Sequence, residues 1–436
     1  MYRKVIEQLK EWKKRSNRKP LVICGARQVG KTWLMKEFGA QCYKSTVYVN
    51  FENNEILERL FSGNLDVKRL IQGLELYAGK TIDPENTLII FDEIQEVPKA
   101  LTSLKYFNEN APEYQIVCAG SLLGIALHPG TSFPVGKVDF LNLYPLSFFE
   151  FLLALGKEKL VDVLKREDFE LANLFKSDLA ELLRQYFYVG GMPEAVFTFA
   201  QKQDYKQVRD VHKRILFSYE QDFSKHAPNE TVPKIRLLWN SIVTQLAKEN
   251  KKFFYGLVRE GARAKDFESA MMWLSDCGLV YKVHRASVPR LPLKLYEDSK
   301  IFKLFGLDVG LLSAMAELDA KILLEGNVLF TEFKGALTEQ YVLQELKANT
   351  SSHICYWAAE SSRAELDFLI GTDSNIVPIE VKAEVNLKAK SLRIYKEKYG
   401  PKVCVRTSLA EYKDEDWLIN LPLWSIAMVE KQISSR

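Results

Sequence analysis

The chain has 436 residues, of which 47% are hydrophobic and 27% charged, with a formal net charge of +4. That length predicts two or three domains, the balance predicts a soluble globular protein, and the charge is too small to identify a polyanion partner. No apolar run approaches a membrane span, since even residues 148–153 include Glu150, and the N-terminus lacks an apolar core and small-residue cleavage site; cytoplasmic residence and no membrane partner are expected.

Residues 2–15 place Val5, Leu9 and Trp12 on one face of an amphipathic helix. The apolar run Leu21-Val22-Ile23-Cys24 then leads into Gly25-Ala26-Arg27-Gln28-Val29-Gly30-Lys31-Thr32, with a helix expected from Trp33 onward. Strand, glycine-bounded loop and helix make a phosphate cradle. The two glycines let the backbone wrap an anion with its N–H groups inward, and the helix N-terminus adds its positive end. Lys31 would reach the β- and γ-phosphates of ATP, and the Thr32 hydroxyl would bind Mg2+.

Residues 46–51 alternate as a strand, and 56–76 read as helical with an interruption near Gly63-Asn64. The run Leu88-Ile89-Ile90-Phe91-Asp92-Glu93 has the pattern of a buried parallel strand whose carboxyl end faces the nucleotide. Asp92 would hold Mg2+ through water, and Glu93 would orient the hydrolytic water. A further strand at 115–119 ends in Gly120-Ser121; Ser121 would either sense the γ-phosphate or merely cap the next turn. After a strand at 138–143, Ser147 and Glu150 fit a capping box.

Strands alternating with helices, with ligand groups at strand ends, predict a doubly wound α/β nucleotide-binding domain. The loop 25–32, Asp92-Glu93-Ile94-Gln95, Tyr144-Pro145-Leu146-Ser147-Phe148 and Gly190-Gly191-Met192-Pro193-Glu194 together resemble AAA-type ATPases of bacteria and archaea that carry an uncharacterised C-terminal domain. The resemblance spans nearly the whole chain and implies a P-loop ATPase fold with ATP as ligand. It leaves open the arginine that would complete a neighbouring subunit's site in a homo-oligomer. Arg27, Arg59, Arg69 and Arg184 are the alternatives, and none has a spacing signal.

From about 204 to 312 the pattern is mostly helical, with helices at 232–247 and 264–274, then apolar runs at 278–283 and 293–296. Helix, turn, helix and hairpin predict a winged-helix domain. Arg263 and Lys265 would open a DNA-reading helix, but Asp266, Glu268 and Asp276 offset them, and Met271, Met272 and Trp273 read as core. A packing or communication module is the preferred reading.

The last third predicts a helix at 330–346 carrying Glu339, strands at 354–357, 365–370 and 377–382, a helix at 387–399 and a final strand at 403–405. This order is similar to the restriction-endonuclease-like core. Glu380 and Lys382 share one side of a strand by period-two geometry, and Asp367 approaches from its neighbour. Asp367 and Glu380 would bind Mg2+ at a scissile phosphate, with Lys382 stabilising charge and Glu339 as an outer acid. Such a set also survives on domains that only bind DNA, RNA or a protein. The basic residues Lys388, Lys390, Arg393, Lys396 and Lys398 fit phosphate contacts and a solvated helix face equally well.

The six cysteines are scattered and the five histidines show no metal-ligand spacing, so no zinc site or disulfide framework is expected. The predicted domains are a P-loop ATPase domain at 1–200, a helical winged-helix domain at 201–318 and a small α/β restriction-endonuclease-like domain at 319–436.

Overall fold

Three apolar runs that lack alternation form strands buried at every position: Leu21–Cys24 (β1), Thr87–Asp92 (β3) and Gln115–Ala119 (β4). Burial on both faces is what a parallel sheet covered by helices demands. In the computed structural model they join Ser45–Asn50 (β2) and Asp139–Asn142 (β5) in an all-parallel sheet of order β2-β3-β4-β1-β5. The carboxyl ends of all five strands therefore lie along one edge. The structure describes residues 1–120, 134–248, 251–325, 331–359, 364–372, 374–385 and 389–434.

These residues divide into two compact units. The first comprises Tyr2–Tyr144 and Asp276–Gly278. Its leading helix, Val5–Lys14, buries Ile6, Leu9 and Trp12, so the inward face is rotated from the predicted one: Ile6 replaces Val5. The interrupted helix resolves into Glu55–Ser62 and Val67–Ala78. Asn54 and Asp66 cap the two starts, accepting from the amides of Leu57 and Arg69 at 3.2 and 3.0 Å. Phe51, Phe61 and Phe91 pack edge to face, with centroids 5.3 to 5.8 Å apart, and fix β3 just before its terminal acid.

The second unit comprises Pro145–Ser275 and Leu279–Arg436, with Met1. Its first helix, Phe148–Ala154, opens on the expected capping box between Ser147 and Glu150. The Gly190-Gly191 pair follows the helix Lys176–Val189 and meets the segment around Leu146. Leu146 N donates to Gly191 O at 2.7 Å, and Gly191 N donates to the buried Asp308 carboxylate at 2.6 Å. A Cβ on Gly191 would lie 2.1 Å from Leu146 O, so only glycine permits this approach. Two motifs that carry the family resemblance thus have packing roles.

An eight-stranded mixed sheet completes the unit. Its strands are Val280–Ala286 (β6), Glu297–Gly306 (β7), Ile354–Ala358 (β8), Glu365–Gly371 (β9), Ile376–Val381 (β10), Cys404–Ser408 (β11), Lys413–Glu415 (β12) and Leu418–Pro422 (β13). The order is β12-β13-β11-β10-β9-β8-β6-β7. Strands β8, β9 and β10 are successively antiparallel, whereas β10 and β11 are parallel across the helix Lys390–Tyr399. The hairpin β6–β7 does not stand alone: β6 pairs with β8 through Arg285 and Tyr356, which extends the sheet at an edge whose backbone groups would otherwise be unpaired.

Several boundaries differ from expectation. Residues 293–296 form the 3-10 turn Leu293–Tyr296 and not the second hairpin strand, because Pro289 and Pro292 remove two ladder donors just before it. Strand β11 is not final, since the fully buried Leu418–Pro422 pairs beside it in parallel as β13. Met271 and Trp273 are buried, but Met272 is exposed, on the outer face of the helix Ala264–Asp276. The helix expected from 330 runs Thr331–Asn349; Phe330, Leu387 and Lys388 lie outside the described residues.

Candidate functional site

The loop after β1 needs backbone that side chains resist. Gly25 has φ +154, and a Cβ there would lie 2.4 Å from Leu143 O, whose own amide is tied to Cys24 O at 2.7 Å. Gln28 and Gly30, at φ 65 and 94, turn the chain into the helix Lys31–Cys42. This is a nest of backbone amides ending on a helix N-terminus, the geometry that receives anions.

Lys31 is buried, and its Nζ donates to the loop carbonyls of Gly25 and Ala26 at 2.9 and 2.8 Å. Burial pulls its ammonium below the ordinary lysine value, and the charges of Glu93 and Asp92 oppose that pull. Thr32 Oγ1 donates to Asp92 Oδ2 at 2.7 Å, and the Tyr48 hydroxyl donates to the same oxygen at 2.9 Å. Glu93 follows directly, in the left-handed region at φ 50, and accepts from Gln95 Nε2 at 2.5 Å. A strained non-glycine backbone at a strand end is held by its surroundings and concentrates at functional positions. The structure thus brings Gly25, Ala26, Lys31, Thr32, Asp92 and Glu93 together; Ser121 lies outside the described residues.

The sequence reading does not single out Tyr48, and it names Gln95 only as part of Asp92-Glu93-Ile94-Gln95. A signal for Tyr48 exists, because β2 pairs β3 with Asn50 opposite Asp92, and period two then puts Tyr48 on the same face. Among the arginines, Arg69 is spent on the carbonyls of Leu60 and Asn64 at 3.0 and 2.8 Å, and Arg59 faces Glu55 at 3.6 Å. Thr32 and Asp92 offer the hard oxygen donors that suit Mg2+.

The second acidic group gathers around a lysine. Lys303, on β7, is 1% exposed, and its Nζ lies 2.5 Å from Glu365, 3.7 Å from Glu339 and 3.9 Å from Asp367. Lys251 makes a short ion pair with Glu339. Asp367 Oδ2 accepts from Val381 N at 2.7 Å. The β9–β10 register, Ile379 opposite Phe368, sets Glu380 across from Asp367, yet Glu380 pairs with Lys382 at 2.9 Å and its other oxygen is buried without a hydrogen-bond partner. Burial, with Glu339 next, pushes Asp367 up to about 7. Burial also acts to raise Glu339, but Lys251 and Lys303 outweigh it and hold the group low. Lys303 is raised, because its carboxylates overcome the burial that lowers it. Lys251, Lys303 and Glu365 were not read as site residues; a lysine inside the run Ile301-Phe302-Lys303-Leu304-Phe305 was the available signal.

Glu297, His353 and Cys355 are a third set, with donor atoms within 4.8 Å of one another. His353 Nε2 lies 2.7 Å from Glu297 Oε1, and the Cys355 thiol, raised by burial, donates to that oxygen at 3.5 Å. No disulfide joins any of the cysteines, all of which are described.

Residues 17–152 match the family described as an AAA domain. This part of the chain is an AAA-type P-loop ATPase domain. The AAA-type domain is followed by matches to a domain of unknown function (DUF8612) at 180–322 and to a domain of unknown function (DUF4143) at 334–426. No curated protein matches the sequence. Among solved structures, the Walker-type ATPase PABY2304 of Pyrococcus abyssi is similar at 15% identity, over 71% of this chain and 94% of that one, with a TM-score of 0.44. Cdc6p from Pyrobaculum aerophilum is similar at 14% identity over 74% and 93%, with a TM-score of 0.26. PCH-2 of C. elegans is similar at 16% over 62% and 68%, with a TM-score of 0.23. Likenesses this distant carry no argument for the present chain. None of the described helices is long and apolar enough to cross a membrane.

Proposed function

We propose that the chain is a cytoplasmic, Mg2+-dependent ATPase whose nucleotide state controls a nuclease-like C-terminal domain that interacts with DNA or RNA. The observation that carries the ATPase reading is the contact of Thr32 with Asp92 at 2.7 Å, with Glu93 next in the chain and Lys31 set in the loop beside it. In this reading the amides of residues 25–32 cradle the phosphates. Lys31 moves from the loop carbonyls to the β- and γ-phosphates, where anionic oxygens relieve the burial that disfavours its charge. Thr32 and Asp92 hold Mg2+, which when bound neutralises charge on those phosphates. Glu93 orients the attacking water; Ser121, the candidate sensor of the γ-phosphate, lies outside the described residues. Lys31→Ala should lose ATP binding, whereas Glu93→Gln should bind ATP and hydrolyse it slowly; unchanged turnover of labelled ATP in both would refute the assignment.

The wider organisation is a winged-helix domain at 201–318 between the ATPase domain, 1–200, and a restriction-endonuclease-like domain, 319–436. What supports the last is the succession of the helix Thr331–Asn349, β8, β9, β10, the helix Lys390–Tyr399 and β11, with Asp367 and Glu380 on neighbouring antiparallel strands. A second reading has a specific observation in its favour. Lys303 among the acids suits a C-terminal domain that binds nucleic acid or a protein partner without cutting. Labelled DNA and RNA incubated with the protein and Mg2+ or Mn2+, beside Asp367→Ala, separate the two: Asp367-dependent cleavage excludes the second reading, and no cleavage under any nucleotide condition excludes the first.

A further inference from the structure

The donor set that the nuclease-like reading implies for a divalent cation does not fit one. A cation site needs carboxylate oxygens turned toward a common point and free of competing cations. Here the side chains of Glu339, Glu365 and Asp367 face the ammonium of Lys303, which is 1% exposed and comes from the hairpin strand β7. Lys251 takes the other oxygen of Glu339. Asp367 is further engaged by Val381 N, and Glu380 is drawn to Lys382 at 2.9 Å.

We infer that Lys303 and Lys251 close the acidic cluster in place of a metal, so that the nuclease-like domain is held by an internal ionic lock and, of the two readings above, the one that binds without cutting holds. The inference rests on reading the cluster as nuclease-like. The ordinary rules of buried charge support it: carboxylates taken out of water require counter-charges, and without an exchangeable ion Lys303 and Lys251 supply two for Glu339, Glu365 and Asp367, the third acid being the one pushed toward its protonated form. They also oppose entry of a second cation, since like charges in a low-dielectric site repel strongly. Lys303 thereby links β7 electrostatically to β9 and to the helix Thr331–Asn349.

The test is Mn2+ binding by the nucleotide-free full-length chain, followed by electron paramagnetic resonance and by the Mn2+ dependence of the unfolding temperature. Wild type should show no Mn2+ site that depends on Asp367. Lys303→Met should gain one, with affinity at least tenfold tighter than any residual wild-type binding and a rise in unfolding temperature on adding Mn2+; Lys303→Met/Asp367→Asn should lose it again. Because Lys303→Met leaves buried acids uncompensated and risks misfolding, Lys251→Ala, at a side chain 13% exposed, is the second variant and should gain the site more weakly. Mn2+ binding by wild type that Asp367→Asn abolishes would overturn the lock while leaving the nuclease-like reading intact. Folded variants that gain no Mn2+ site would remove the nuclease-like reading of the cluster and the lock with it.

Discussion

Two sheet acids, Asp92 at the end of β3 and Asp367 within β9, keep different company. Asp92 receives hydroxyls from Thr32 and Tyr48, and the nearby Lys31 points at loop carbonyls. Asp367 sits with Glu339 and Glu365 around Lys303. Neutral donors leave a carboxylate's charge to be matched by an incoming ligand, whereas buried ammonium groups match it from within. The difference separates an acid held by hydroxyls from a cluster in which two buried ammonium groups face three acids.

The largest effect should come from the ionic cluster. Lys303→Met should lower unfolding free energy by about 3–5 kcal/mol, the usual result of removing one partner from a buried ion network, and denaturant titration measures it. A loss below about 1 kcal/mol would mean that Lys303 is not a structural charge. Next, Glu93→Gln should slow ATP turnover by about 100-fold or more with little change in nucleotide affinity, as expected for a group that acts on the transition state. Equal losses in affinity and turnover would give Glu93 a binding role and blur the contrast.

Asp367→Asn probes the same contrast through pH. Because the folded-state value, about 7, lies above the usual value for an unfolded aspartate, the protonated form favours folding. Its contribution is complete below about pH 4 and is lost as pH rises toward 7. Asparagine mimics the protonated form, so the variant should match wild type near pH 4 and exceed it by on the order of 3 kcal/mol at pH 8. A variant less stable than wild type at pH 8 would show that the lysines require this carboxylate ionised. The smallest effect belongs to Tyr48→Phe, which removes one neutral donor from Asp92 and should cost about 1 kcal/mol in stability while leaving ATP affinity within tenfold.

Local signals carried the ATPase site because its parts lie at strand ends with fixed spacing. A loop between β1 and a helix, and acids closing β3, are each set by a few consecutive residues. Asn54, Asp66 and Ser147 likewise cap helices through contacts only three residues long. The lysines of the second cluster had no such signal, since Lys303 reaches Glu339, Glu365 and Asp367 across strands remote in sequence. The same limitation hid the Gly191–Asp308 contact and the joining of β6 to β8. The end of the hairpin was misplaced for a different reason. Leu293 and Leu295 look like strand residues, but the prolines before them decide the backbone.

The helix Thr331–Asn349 carries Glu339 toward Lys303, Gln340 to both backbone groups of Gly306, Gln344 to Tyr186 and Asp308, and Glu345 to the amide of Phe148 at 2.7 Å. Six residues of α-helix, about 9 Å, separate the first of these anchors from the last. One helix thus sets the spacing between the ionic cluster at Glu339 and the first turn of the helix Phe148–Ala154, within the second unit.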